Sequence, residues 1–594
     1  MNGNHGVLRL FEDSQDLVVV SFLAVRTKGR LLRHRCSSRS ECVALAVCVF
    51  FVLVFALAPV ARLLVELVGG LLGHQRDGML AVLWAPSTLT ATWHSIEVGL
   101  VGTLIASVYG LVVATLVTLS DIRRRHWIVY AFVVQAMLPP QVVALAWLQI
   151  WAPLRDVLQA LGWEEASAFS NPLQGRVGIM VLLGIHYAPL VFLTVRAGLL
   201  NVPAEVIEAA RVNGATPWVV LTRIVWPLVT PSLAAGAALA FVSCIGNFGI
   251  PAFLGIPGNY LVLPTLIYRE LSGFGLSAVP NATVLSFLVS VLAGLGIWLQ
   301  HRFANDGHFR VSPSRGVVAP FKLKRAQVWV QASLLVVLFV LLLAPLAALL
   351  GKSLTPAPGV PLTLSSMTLE HYAYVLIDND ATTRAFVNSI GLSVGAALVL
   401  AVISLLLAFL IEYRKNPWLT RLGYFIEVPY VLPGVVLSMA IILLYIHPIF
   451  GLSLYNSIAI IFVAYLARFL AIQLRPIVGV LQQLPNDLFE AAEVFGAPFL
   501  SRMRKIVIPL VLPSVTAGAM LVVLLALNEL TISALLWSSG AETLGVAVFS
   551  LEQGGESSAA AAIGMVCVAL ANLVILLATL AGRRLPSGVL PWRA

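Results

Sequence analysis

Charge is scarce in this sequence. Only 11% of the 594 residues are Asp, Glu, Lys or Arg, against 59% hydrophobic, and the mean hydropathy is +0.95. A chain so poor in charge cannot dress its surface for water, which excludes a soluble enzyme or binding module and leaves an integral membrane protein. Cysteine is also sparse. Cys36, Cys42, Cys48, Cys244 and Cys567 stand at no metal or disulfide-framework spacing, so they read as packing residues without redox chemistry. The phosphate-cradling loop is missing: Gly351-Lys352-Ser353 lacks the earlier glycine, because Leu346 occupies that position. No nucleophile elbow and no His-Glu-x-x-His pattern occurs. The chain therefore reads as a non-enzyme with no catalytic residue, no metal ligand set and no cofactor of its own.

What is present in abundance is long apolar runs. Cys42 to Leu71, His94 to Leu119, Ile128 to Trp151, Gly178 to Leu200, Leu228 to Leu254 and Ala282 to Gln300 are each long enough to span. A second set follows at Val328 to Leu350, Ala385 to Ile411, Leu422 to Tyr445, Ser457 to Leu481, Val511 to Leu536 and Ala559 to Leu580. These predict an all-α membrane protein of about 12 transmembrane helices, six and six. The organisation reads as a basic arm at 1–41, a first repeat at 42–300, a linker at 301–327, a second repeat at 328–582 and a tail at 583–594. A secretory signal has a short apolar core, whereas this first run is long enough to span, so it reads as an uncleaved helix. Of the 37 Lys and Arg, 29 fall on one side of this topology. The positive-inside rule makes that side cytoplasmic, along with both termini, and the net charge of +10 then needs no nucleic-acid partner.

One stretch occurs twice. Residues 203–232 and 485–514, offset by 282, share Pro203/Pro485, Glu208/Glu490, Ala209/Ala491, Ala210/Ala492, Gly214/Gly496, Ile224/Ile506, Pro227/Pro509, Pro231/Pro513 and Ser232/Ser514. That density of matches means duplication. A proline able to open a helix, a glycine eleven residues later and a second start at Ala215-Thr216-Pro217 predict a bent pair of short helices. Arg223 in one copy, and Arg502, Arg504 and Lys505 in the other, suit lipid phosphates. The duplication extends further. Trp93-His94-Ser95 is echoed by Val387-Asn388-Ser389, and Leu138-Pro139-Pro140 by Leu432-Pro433-Gly434, both at an offset of 294. A longer external loop near Leu154 to Arg176 accounts for the change of offset.

The pattern Glu-Ala-Ala, Gly six residues after the Glu, Ile ten after that and Pro three further on resembles the cytoplasmic loop of binding-protein-dependent ABC importer permeases, although Trp226 and Ile508 stand where leucine is usual. The resemblance covers about residues 42 to 582. It implies that Glu208, Ala209, Ala210, Gly214, Glu490, Ala491, Ala492 and Gly496 couple the chain to separate ABC ATPase subunits, expected as a homodimer, which would use the ATP. It also implies a periplasmic substrate-binding protein, a place in the bacterial inner membrane, and a whole pore formed by one fused chain. Gly246-Asn247-Phe248-Gly249-Ile250-Pro251, Leu263-Pro264-Thr265-Leu266-Ile267-Tyr268 and Asn528-Glu529-Leu530-Thr531 are similar to iron(III) permeases, so iron(III) is the expected substrate. Thiamine, polyamine and phosphonate importers share the architecture.

Ionisable residues inside spans are costly and call for a functional role. Glu97, His186, Glu427, Arg468 and Glu529 are the candidates, with Asn247 and Asn528 as polar partners. Asn247 and Glu529 occupy equivalent positions 282 apart, which makes Asn247, Asn528, Glu529 and Arg468 the candidate substrate path. Arg468 paired with a carboxylate as a structural tie is the competing reading, and Glu97 and Glu427 fit positions near the membrane interfaces. A rival of another class is an ion-gradient-driven secondary transporter, which can also be built from internal repeats.

Overall fold

The computed structural model describes residues 39–72, 76–162, 171–273, 275, 277–305, 321–357, 360, 362–414, 417–448, 453–485 and 487–581. The arm before Arg39, most of the linker and the tail lie outside the described residues, as does Trp163-Glu164-Glu165. The first repeat contains α1 (Arg39–Gly70), α2 (Arg76–Trp84), α3 (Pro86–Leu119), α4 (Arg125–Met137), α5 (Pro140–Gln149), α6 (Arg176–Leu200), α7 (Ala204–Val212), α8 (Pro217–Gly246), α9 (Gly249–Leu254), α10 (Leu263–Ser272) and α11 (Ala278–Asn305). The second contains α12 (Ala326–Ser353), α13 (Asp380–Glu412), α14 (Pro417–Val431), α15 (Gly434–Tyr445), α16 (Ile458–Leu481), α17 (Asp487–Val494), α18 (Phe499–Leu527), α19 (Thr531–Leu536), α20 (Leu544–Gln553) and α21 (Ser557–Ala581). From α3 to α11, each helix reappears ten labels later.

Ten of these helices are long and apolar enough to cross a membrane, or twelve if each of two bent pairs is one span. The bent pairs are runs expected to be continuous. Ile128 to Trp151 breaks between α4 and α5 by 101°, and Leu422 to Tyr445 breaks between α14 and α15 by 115°. The breaks fall at Leu138-Pro139-Pro140 and Leu432-Pro433-Gly434, where proline removes a backbone donor and forces the preceding residue out of helical geometry. Two other expected spans also break. Leu228 to Leu254 stops at Gly246 and resumes at Gly249, and Val511 to Leu536 stops at Leu527 and resumes at Thr531. A polar residue takes over the hydrogen bonding at each gap, as described below.

Proline also explains a subtler irregularity. The segments Val52–Leu57, Leu221–Val225, Phe339–Leu343 and Met503–Val507 are π-helical turns within longer helices. In all four, the residue just after the segment donates its N–H five residues back, as Trp226 does to Leu221 and Ile508 to Met503. The next residue is Pro59, Pro227, Pro345 or Pro509. A proline ring clashes with the carbonyl four residues earlier in an α-helix. One extra residue in the turn shifts that register, and the helix continues past the proline.

The core of each repeat is a helix packed between two others, α6 between α3 and α8, and α16 between α13 and α18. Gly110 lets α3 approach α6 closely, since an added Cβ would lie 2.8 Å from the Ala188 carbonyl. The first helices are exchanged. α1 lies against α14 and α15 of the second repeat, with Arg62 Nε donating to the Leu443 carbonyl at 3.3 Å. α12 lies against α5, and its Leu334 and Leu338 join the first-repeat core around Val113, Phe132 and Phe192.

The echo between Trp93-His94-Ser95 and Val387-Asn388-Ser389 has a structural cause. Ser95 Oγ accepts the N–H of Leu263 at 2.8 Å, and Ser389 Oγ accepts that of Leu544 at 2.8 Å, so each closes the free first turn of α10 or α20. His94 Nδ1 lies 2.9 Å from the Leu261 carbonyl, while Asn388 Nδ2 donates to the carbonyls of Gly540 and Glu542. The equivalent residues fasten equivalent loops.

Candidate functional site

The two duplicated loops fold alike. Pro203 sits just outside α7 in an extended conformation rather than at its first helical position. At the other end Gly214 has φ of 78° and Gly496 has φ of 71°, the left-handed region that favours glycine. Ala215 then donates back to Ala210 and Ala497 to Ala492, each at 3.0 Å, which closes the helix end and turns the chain. Thr216 caps the next turn by accepting the Val219 N–H, with Pro217 following. The short helix, glycine turn and second helix expected from the sequence are therefore all present.

Glu208, Ala209 and Gly214 are exposed, as are Glu490, Ala491 and Gly496, while Ala210 and Ala492 are half-buried. Sequence reasoning missed the apolar residues beside them. Val212 and Val494 are 87% and 86% exposed, Phe495 89%, and Trp218 and Leu500 65% and 69%. Val212/Val494 and Trp218/Leu500 again stand 282 apart. Apolar residues thus repeat at equivalent exposed positions in the two loops, and their shared offset was the available signal.

The inner faces differ. α7 is seated by buried Ile207, and Arg211 lies over the Phe321 ring at 4.5 Å. Phe321 in turn donates its N–H to the Leu119 carbonyl at 2.7 Å. α17 is seated by Phe489, which meets Phe409 and Tyr413 at 6.1 and 4.8 Å between ring centres, and Phe409 also meets Phe499 at 5.8 Å. Burial, reinforced by the nearby Glu493 carboxylate, pushes the Tyr413 phenol up.

At the helix breaks, Asn247 and Glu529 have matching partners. Asn247 Oδ1 accepts the N–H of Ile250 at 2.9 Å and Glu529 Oε1 accepts that of Ile532 at 3.0 Å, capping α9 and α19. Asn247 Nδ2 also donates to the Tyr187 hydroxyl at 2.7 Å. The breaks themselves pack together. An added Cβ at Gly246, beside Asn247, would lie 3.0 Å from Pro433, and one at Gly434 would lie 3.0 Å from Thr531, two residues past Glu529. This brings both breaks up to the α14–α15 break where Arg468 donates. Arg468 donates to the Leu432 carbonyl at the α14–α15 break and makes no ion pair among the described residues. Asn528 belongs elsewhere. Its Nδ2 donates to the Met137 carbonyl at 2.8 Å and its own carbonyl accepts from Gln141, which ties the two repeats together.

The other intramembrane candidates separate by partner. Glu97 pairs with Arg176 and accepts the Tyr260 hydroxyl at 2.7 Å, and Glu427 pairs with Arg475. His186 is buried edge-on to Tyr187, with ring centres 4.9 Å apart. Gly351-Lys352-Ser353 is the helical end of α12, where Ser353 Oγ bonds the Tyr372 hydroxyl at 2.8 Å. Among the described residues, no group of three or more His, Cys, Asp or Glu could hold a metal ion. Cys48, Cys244 and Cys567 are buried and unbonded to one another.

A multi-pass membrane chain built from two like halves, each presenting a solvent-exposed loop and a polar helix break, is the architecture of a transport pathway. The chain belongs to the family of binding-protein-dependent transport system inner membrane components, whose model matches residues 106–305 and again 401–587. It is 26% identical over 561 residues to a Sinorhizobium fredii protein named as a probable ABC transporter permease, y4fN, covering 91% of this chain and 96% of that one. It is 25% identical over 487 residues to the ferric transport system permease protein FbpB of Actinobacillus pleuropneumoniae, covering 80% of this chain and 69% of that one. A protein of Marchantia polymorpha named as a probable sulfate transport system permease, cysT, is 23% identical over 217 residues, 36% of this chain and 73% of that one. The chain is thus an ABC importer permease with two fused permease domains, and membership in that family implies an ATPase and a substrate-binding protein as partners.

Proposed function

We propose that this permease carries iron(III) from the periplasm to the cytoplasm, driven by a homodimeric ATPase that grips α7 and α17. The observation that carries the coupling part is the repeated exposed set: Glu208, Val212, Gly214 and Trp218 against Glu490, Val494, Gly496 and Leu500. A homodimer has two equal clefts, and two equivalent loops suit them. ATP acts on the partner, and the permease holds no cofactor. A loaded binding protein docks on the outer loops around 255–268 and 540–555. Closure of the ATPase draws the two loops together and exchanges inward-open for outward-open states. With the loops and both termini in the cytoplasm, the Lys and Arg distribution satisfies the positive-inside rule.

Iron is supported by the ferric permeases among the relatives and by the Glu529 carboxylate, a hard oxygen ligand suited to a ferric ion. Arg468, at the α14–α15 break, favours an anion and, with the sulfate permeases among the relatives, makes sulfate the second reading.

The test is uptake of labelled iron(III) by iron-starved cells with the intact gene, with a deletion, and with the deletion complemented by Glu208→Arg/Glu490→Arg. Loss in the deletion and failure of the double variant to restore uptake support substrate and coupling together. Undiminished uptake in a deletion strain without a redundant importer discards iron, and labelled sulfate is then tried. Restoration by the double variant discards the coupling assignment.

A further inference from the structure

The two loop helices are anchored by different chemistry, and one anchor crosses between repeats. Glu41, in the first turn of α1, is 2% exposed. Arg414, two residues past α13, brings its Nε within 2.6 Å of Glu41 Oε1 and donates from Nη2 to Glu41 Oε2 at 3.0 Å. The same Nη2 stands 2.8 Å from Oε1 of Glu493 on α17. Arg502, itself 2% exposed, reaches that carboxylate from α18. Two arginines and two glutamates form a neutral chain running from α1 through Arg414 to α17 and α18.

The first repeat cannot build this chain. The positions equivalent to Glu493 and Arg502 hold Arg211 and Val220, and the one equivalent to Arg414 holds Ser120. Arg211, at the position of Glu493, has its guanidinium over the Phe321 ring. A guanidinium fork can bridge two carboxylates in fixed geometry, which a point-charge ammonium cannot. Buried pairing of this kind also resists separation, because pulling either carboxylate away leaves a charge unpaired in a poorly solvated place.

We propose that Arg414 is a positioning residue that locks the start of α1 to α17, so that α1 travels with the second repeat whenever α17 is moved. The proposal rests on the reading of α7 and α17 as the segments the ATPase moves. The exchanged helix α1 then belongs mechanically to the second repeat.

The test uses the full chain assembled with its ATPase, native cysteines replaced, and spin labels at Arg39→Cys and Leu488→Cys. A second pair, Leu488→Cys with Val206→Cys, reports whether ATP moves the loops at all. On adding ATP and vanadate, the distance between positions 488 and 206 should change while that between 39 and 488 stays fixed. Arg414→Lys keeps the charge and the fold but loses the bridge. It should let the 39–488 distance shift or broaden with ATP and lower the substrate moved per ATP hydrolysed several-fold. Glu41→Gln and Glu493→Gln should each do the same, with no further loss in the double variant, because both cut one tie. A 39–488 distance that changes with ATP in the parent chain overturns the proposal, as does Arg414→Lys with unaltered distances and unaltered coupling. If the 488–206 distance ignores ATP, the coupling reading itself falls and takes the proposal with it.

Discussion

Asn247 and Glu529 stand at equivalent positions in the two repeats and cap the helices that follow in the same way, each side chain accepting the backbone N–H three residues on, at 2.9 and 3.0 Å. A neutral amide and a carboxylate thus fill one structural role. The cap itself does not require a charge, so the Glu529 charge is available for another purpose.

Substitution separates the two roles. Asn247→Ala and Glu529→Ala should each lower stability by about 1 kcal/mol through loss of the cap, read as a lower melting temperature of the detergent-purified chain. Glu529→Gln keeps an acceptor and should melt like the parent. If Glu529 also meets the substrate, Glu529→Gln will still lose uptake. Unchanged uptake would restrict Glu529 to capping.

The glycines after α7 and α17 make a conformational prediction. An added Cβ at Gly214 or Gly496 meets nothing within 4 Å, so space is not what excludes a side chain there. The left-handed backbone is, at about 1 kcal/mol for alanine. Asparagine, which tolerates that region, should retain more ATP-coupled uptake than valine at either position. Equal activity of the two variants would mean that the turn is unimportant.

Proline placement predicts how the loop joins the membrane helix. Pro227→Ala and Pro509→Ala restore the missing donors, and the turns Leu221–Val225 and Met503–Val507 should then revert to α-helical register. That rotates each loop against its membrane helix. The expected result is normal abundance in the membrane with ATP hydrolysis poorly matched to uptake, measured together on reconstituted transporter.

A pH effect follows from Glu552 on α20. Burial pushes its carboxyl above the ordinary range, with Ser557 and Lys352 opposing. The folded state therefore holds this proton more tightly than the unfolded chain. That contribution to stability is fully present below the ordinary carboxylate range and is lost as pH rises through the raised value. Glu552→Gln should flatten the fall of melting temperature over that window. An identical slope in the parent and variant would contradict it.

The fold was legible wherever the cause lay in chain-local physics. Apolar runs marked the spans, the 282-residue offset marked the loops, and a glycine eleven residues past a proline marked the helix end. The breaks at Asn247 and Glu529 were harder to see, because the apolar run continues through both gaps into α9 and α19, and hydropathy cannot register a change of direction. The Leu138-Pro139-Pro140 and Leu432-Pro433-Gly434 bends were visible as prolines but not as turns of 101° and 115°. Pairings such as Glu97 with Arg176 and Arg414 with Glu41 join residues 79 and 373 apart. Only the packing of helices brings them together, and nothing in their local sequence announces it.

If ATP hydrolysis, delivered through α7 and α17, drives import, the most direct measurement is accumulation of labelled iron(III) in proteoliposomes. These hold the permease with its ATPase and receive the loaded binding protein, with ATP or ADP supplied to the ATPase side and a protonophore present or absent. Accumulation that requires ATP, survives the protonophore and disappears with Glu208→Arg/Glu490→Arg is the predicted result. Accumulation that proceeds with ADP and collapses with the protonophore would contradict it and make the chain a gradient-driven carrier.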